Sequence, residues 1–220
     1  MSRTLVIIPV LAASKSTEAI LKPLKGPSSL QRTLTAALQD LPGATIVVTT
    51  DSDAVAAQAR QVGKSVIFRD RTEKSYAGAL IDVLDAHSAD HIAVVEATHP
   101  FRPRGLIRRT VENLIERDHL DSVVCARQFR ANLWRLDGEN SIAALGAGGD
   151  RRDTTYFQEM VGLALATRPD LIRDGRRLGD AVGFEVVDQF WALVDIRDDD
   201  THAVAELVAD RLTDLRDRTE

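Results

Sequence analysis

The segment Glu96-Ala97-Thr98-His99-Pro100-Phe101-Arg102 follows an apolar run, His91 to Val95. A buried strand that stops abruptly in polar residues and a proline sets functional side chains at the carboxyl edge of a sheet, where open α/β folds bind ligands. Three other segments carry residue types that suit a triphosphate. Pro9-Val10-Leu11-Ala12-Ala13-Ser14-Lys15 ends a second apolar run; its small residues let backbone amides approach phosphates, and Lys15 can neutralise their charge. Val47-Val48-Thr49-Thr50-Asp51-Ser52-Asp53 leads a strand into acidic residues, of which Asp51 or Ser52 also suits a helix N-cap. Val194-Asp195-Ile196-Arg197-Asp198-Asp199-Asp200 gathers carboxylates beside an apolar run. Clustered carboxylates repel one another unless a cation compensates, and Mg²⁺ needs only one or two of them together with waters and substrate phosphates. Asp195 is the leading metal ligand on this reading, while Asp199 or Asp200 suits the cap of a final helix. Neither the histidines nor the single cysteine has zinc-site spacing, and the chain holds no serine elbow and no Gly-Lys-Ser/Thr phosphate loop.

The elements that must position these residues alternate. Leu5 to Leu11, Thr45 to Val48, Val66 to Phe68, Ile92 to Val95 and Ser122 to Cys125 are Val- and Ile-rich runs of the kind that form strands buried on both faces. Between them Leu30 to Leu41, Ala54 to Val62, Ala77 to Ala86 and Leu106 to Ile115 place apolar residues three and four apart. A parallel pair needs a crossover, usually a helix, so this order predicts an α/β fold, a doubly wound, mostly parallel sheet in a three-layer α/β/α sandwich. The rhythm breaks from Arg127 to Gly179, which reads as an inserted arm. Val182 to Val187 and Ala192 to Ile196 return to strand composition, and Thr201 to Leu215 reads as a closing helix.

A chain of 220 residues can bury one full core, so residues 1–220 are expected to form a single domain. The net charge of -5 provides no overall basic field of the kind that drives nucleic-acid binding. No apolar segment is long enough to cross a bilayer and the amino terminus has no cleavage-site pattern, so a cytoplasmic protein is expected. Cys125, the one cysteine, lies in the apolar run Ser122 to Ala126 and reads as a buried, unreactive thiol.

In order along the chain, these segments resemble the motifs of the CMP-sialic acid synthetase-like (acylneuraminate) cytidylyltransferases. Ile8 to Lys15 is similar to Ile-Pro-Ala-Arg-Gly-Gly-Ser-Lys, Gly26 to Leu30 to Gly-Lys-Pro-Leu-Ile, and Val48 to Asp51 to Val-Ser-Thr-Asp. Arg69 matches an arginine after the third strand, and Glu96 to Arg102 resembles Gln-Pro-Thr-Ser-Pro-Leu-Arg. Asp121-Ser122-Val123 resembles an Asp-Ser-Val strand, and Arg151-Arg152-Asp153, with Tyr156 and Gly162, looks like Arg-Arg-Gln before a Tyr-rich stretch and a glycine. Val194 to Arg197, then Asp200, Ala205 and Glu206, resembles Ile-Asp-Ile-Asp followed by Asp and Ala-Glu.

The resemblance implies a nucleotide-diphospho-sugar transferase-like fold. It also implies that a hydroxyl of an acidic acceptor, a nonulosonate such as a sialic acid or a related acid such as a phosphonate, attacks the α-phosphorus of CTP and releases pyrophosphate. Pro9, Leu11, Ala12, Ala13, Ser14, Lys15, Lys22, Asp51 and Arg69 would surround the nucleotide, and Lys15, Arg69 and Arg102 would act in catalysis. Glu96, Thr98, His99, Arg102, Arg151 and Arg152 would face the acceptor, and Mg²⁺ would bind Asp195 and Asp198. The arm would join two copies in a homodimer and carry basic residues to the neighbouring site. Leu11 stands where the family has an arginine, Ala12 and Ala13 replace two glycines, Glu96 replaces an amide and Arg197 replaces a carboxylate. The same departures also fit a protein that keeps the fold and binds a nucleotide or partner without turnover, or a nucleotidyltransferase using another base.

Overall fold

In β1 (Thr4–Val10) Leu5 and Ile7 point to one face and Val6 and Ile8 to the other, and all four are buried. Such a strand must lie in the middle of a sheet covered on both sides. The computed structural model describes residues 2–63, 66–137, 141–145 and 154–219. β1 pairs in parallel with β2 (Thr45–Thr50) on one side and β4 (His91–Val94) on the other, and β2 pairs in parallel with β3 (Val66–Asp70). Beyond β4 lie β9 (Leu165–Thr167), β5 (Ser122–Arg130) and β10 (Val182–Val186), giving the order β10-β5-β9-β4-β1-β2-β3. β9 runs antiparallel to both neighbours, and β8 (Thr155–Glu159) pairs antiparallel with the outer half of β5.

One face of the sheet, with Val6, Ile8, Ile46, Val48 and Ala93, packs on α1 (Ser16–Leu21), α2 (Ser29–Asp40), α3 (Asp53–Arg60), α5 (Leu106–Glu116) and α7 (Asp199–Thr219). The other face, with Leu5, Ile7, Val47, Ile92 and Val94, packs on α4 (Tyr76–Ala86) and α6 (Pro169–Arg173). The three layers and the winding are those expected. Helix starts are written in the sequence: Ser28 and Gln31 form a capping box on α2, Ser52 caps α3 and Ser75 caps α4. Cys125 is buried, and that burial pushes its thiol up to about 12, so it is an inert part of the core.

Two expectations need correction. The segment Arg127 to Gly179 is not wholly an arm, because β9 within it is completely buried between β4 and β5. Among the described residues of this segment, β6 (Trp134–Asp137) and β7 (Ser141–Ala144) form a separate two-stranded hairpin off the main sheet. Ala192 to Ile196 is not a strand: Phe190–Leu193 forms a 3-10 turn, seating Trp191 and Ala192 in the core, and the chain then runs extended to α7.

Candidate active site

β1 and β4 are parallel and in register, so the residues that follow them lie side by side; the amide of Val95 donates to the Ile7 carbonyl and prolongs the pairing by one step. At this carboxyl edge a cleft of about 300 Å³ is lined by Pro9, Leu11, Ser14, Ser16 and Thr17 from the first loop and helix, by Glu96, Ala97 and Thr98 after β4, by Arg71, Lys74 and Tyr76 around the start of α4, and by Arg197. This is the crevice position the strand-end reading predicts.

The first loop is a tight turn. The Ser14 amide and the Thr17 hydroxyl both donate to the Leu11 carbonyl, and Asp51 Oδ1 accepts the Ala12 amide at 2.6 Å. Asp51 therefore anchors the loop, and the capping is done by Ser52. Ser14 and Ser16 turn to the cleft with their hydroxyls 2.8 Å apart, while Ala12, Ala13 and Lys15 are exposed and do not line it. Lys15 instead lies close enough to Asp198 for its charge to help hold that carboxyl down, after the larger effects of the Thr201 amide and hydroxyl. Lys22 is also elsewhere, 2.7 Å from Asp199 and tying α1 to α7.

Arg69 and Arg102 have different work from that expected. Arg69 forks onto Asp82 of α4, with Nε at 2.5 Å from Oδ2 and Nη2 at 2.7 Å from Oδ1, and lines a neighbouring hollow of about 260 Å³ rather than the cleft. Arg71, two residues on and just past the last paired residue of β3, takes the cleft position. Its guanidinium donates to the carbonyls of Glu73, Lys74 and Ser75, which fixes it in place. Arg102 is buried and donates to the carbonyls of Glu96, His99, Gly162 and Leu163 and to the Thr33 hydroxyl. It holds the strand-end loop together and offers nothing to an acceptor. Burial lowers it to about 10, so it stays charged at neutral pH.

Beneath the cleft His99 is 3 % exposed, and Gly162 is what admits it: a Cβ there would lie 2.4 Å from His99 Cε1 and 2.6 Å from Nδ1. Burial, followed by the Arg102 charge, pushes His99 down to about 4. Its 3.8 Å approach to Asp195 Oδ1 is thus a contact of a neutral ring with a carboxylate, not an ion pair. Asp195 Oδ2 accepts from Arg197 Nε at 2.6 Å, while Oδ1 is buried without a hydrogen-bond partner among the described residues. Asp198 Oδ1 accepts the Thr201 amide and hydroxyl and so caps α7. Glu96 Oε1 accepts from the Tyr76 hydroxyl at 3.4 Å; burial and then the Glu96 charge raise that phenol. Arg151 and Arg152 lie outside the described residues. Sequence reasoning missed Arg71, Lys74 and Tyr76 altogether, and the one signal available was the spacing of two between Arg69 and Arg71 at the end of an apolar run.

The chain matches the family described as cytidylyltransferase over residues 6–215. A comparison with curated proteins finds no match. The fold is similar to that of CMP:2-keto-3-deoxy-manno-octonic acid synthetase complexed with CTP, with a TM-score of 0.71 at 14 % identity, covering 97 % of this chain and 99 % of that one. It is also similar to 4-diphosphocytidyl-2C-methyl-D-erythritol synthase from Anaerococcus prevotii, with a TM-score of 0.70 at 12 % identity over 96 % and 97 % of the two chains. A 2-C-methyl-D-erythritol 4-phosphate cytidylyltransferase from Thermus thermophilus aligns with a TM-score of 0.60 at 16 % identity over 96 % and 100 %. At these identities the likeness is one of fold.

Proposed function

The chain belongs to the cytidylyltransferase family and is a CTP-dependent nucleotidyltransferase, and we propose that its acceptor is an acidic small molecule, a nonulosonate such as a sialic acid or a related acid such as a phosphonate. The acceptor hydroxyl oxygen attacks the α-phosphorus of CTP and gives its proton to water, a new O–P bond forms, the α–β bridge breaks and pyrophosphate leaves. Such a transfer needs alignment and charge neutralisation more than covalent help. The observation that carries the reading is the convergence of Arg71, Lys74 and Arg197 on one cleft at the strand ends. An acid fits a cleft with that many cations, and the acceptors named for the similar structures, an octonic acid and an erythritol 4-phosphate, are both anionic.

Magnesium suits Asp195, which pairs with the cleft-lining Arg197 and whose buried Oδ1 has no hydrogen-bond partner among the described residues, and one carboxylate with substrate phosphates suffices for this ion. Asp198, whose Oδ1 caps α7, keeps its other carboxylate oxygen for such an ion. When bound, the ion supplies positive charge to the phosphate oxygens. The rest falls to this chain: Ser14 and Ser16 offer hydroxyls to the nucleotide, and Arg71, Lys74 and Arg197 meet its anionic groups. The test is pyrophosphate release from each nucleoside triphosphate with Mg²⁺ and a panel of sugar acids and phosphonates. CTP with an acid is expected to give release and Asp195→Ala to abolish it; release only with neutral acceptors sinks the acidic assignment.

A homodimer is the assembly we infer. In the β6–β7 hairpin Trp134 and Leu136 alternate onto one face and Ile142 pairs directly with Leu136, all three more than 60 % exposed. An isolated two-stranded hairpin is marginal in water, so a second copy covering this face supports its folding.

A further inference from the structure

The first loop lines the cleft with Leu11, Ser14, Ser16 and Thr17, none of them a cation, although a triphosphate brings several negative charges there. Arg71 and Lys74 reach the cleft from the β3–α4 connection. A third cation comes from a different direction. Arg197 stands on the extended segment before α7, and its backbone is pinned on both sides: the Ile196 amide donates to the Thr98 carbonyl at 2.8 Å, and the Arg197 amide donates to the Thr201 hydroxyl at 2.8 Å. Its side chain is 58 % exposed, and its close partner among the described residues is Asp195, which takes Nε at 2.6 Å; Glu96 Oε2 is 4.0 Å from Nη2.

A guanidinium held through Nε keeps the edge that carries both Nη groups for another anion, and that edge matches two oxygens of a phosphate. We propose that Arg197 is a phosphate-binding residue for the triphosphate of CTP and that Asp195, besides any metal it holds through Oδ1, is the positioning residue that orients it through Oδ2. The two oxygens of one carboxylate then serve two cations. In this arrangement the segment before α7 supplies a fixed positive charge that the first loop does not. The inference rests on the reading of the cleft as the CTP site, but not on the identity of the acceptor.

Calorimetry of the full chain in EDTA separates this role from metal binding. Wild type is expected to bind CTP, and Arg197→Ala to bind it at least about tenfold more weakly while cytidine, which has no phosphate, changes less than about twofold. Arg197→Lys is expected to recover part of the loss, because it restores charge without the fork. Asp195→Asn is expected to weaken CTP in EDTA as well, and the double variant Asp195→Asn with Arg197→Ala to be no weaker than Arg197→Ala alone, the signature of residues acting as a unit. Unchanged melting of the variants confirms that an exposed side chain, not the fold, was altered. Equal CTP affinity of wild type and Arg197→Ala in EDTA overturns the proposal, as does an equal loss for CTP and cytidine or no wild-type binding at all. Arg197-dependent CTP binding without pyrophosphate release from any acid leaves the proposal standing and sinks only the acceptor assignment.

Discussion

A guanidinium can serve a ligand or a fold, and Arg102 serves the fold. Its four carbonyl partners belong to two segments, residues 96–99 and 162–163, whose oxygens face a dry interior and need donors there. Arg102→Lys keeps the charge but cannot reach them all, and the expected cost is about 3 kcal/mol, read as a lower urea midpoint. His99 sets the response to acid. Its folded value of about 4 lies below the ordinary value of 6.5, so the unfolded chain takes up the proton first. Stability is therefore full above pH 6.5 and falls as the pH drops towards 4, by roughly 3 kcal/mol in metal-free buffer. His99→Gln is expected to flatten that dependence; urea midpoints at several pH values that fall equally for both proteins refute it. The family motif located Arg102 but assigned it to catalysis and the acceptor, since an arginine after a strand suits either use. It likewise picked Arg69 over Arg71 because where β3 ends is fixed by its pairing with β2, which the residues of β3 alone do not show.

At the scale of elements, the strand tips and the loops they carry form one unit with the β8–β9 connection. Gly162 is the centre of that contact, its carbonyl accepting the Glu96 amide and its missing side chain leaving room for the imidazole. Gly162→Ala is expected to force His99 from its place, costing about 2 kcal/mol in stability and most of the pyrophosphate-release activity; a variant with wild-type melting and rate contradicts the crowding. The core strands and helices α2 to α5 were legible because each buried run or amphipathic stripe is long enough to show its period. β9 was not, since three residues, Leu165-Ala166-Thr167, have no period to show, and their strand state comes from the edges of β4 and β5. α1, six residues long, is invisible for the same reason. Ala192 to Ile196 misled because a buried apolar run fits a 3-10 turn as well as a strand, and Trp191 settles it by filling the core.

For the whole molecule, the exposed face of the hairpin is the surface that the proposed second copy would cover. Leu136→Asp places a charge on the paired face and is expected to convert a dimer to a folded monomer by analytical ultracentrifugation; an unchanged sedimentation coefficient removes the hairpin from the interface. None of the described helices is long and apolar enough to cross a membrane. The insertion of β9 between β4 and β5 has a further effect. Cleaving the backbone between β7 and β8 would yield two pieces, yet the later piece contributes an interior strand to the earlier one and is bolted to it through Arg102. The nicked polypeptide would migrate as a single particle until denatured, with Glu96 on one fragment and Gly162 on the other still meeting at the strand tips.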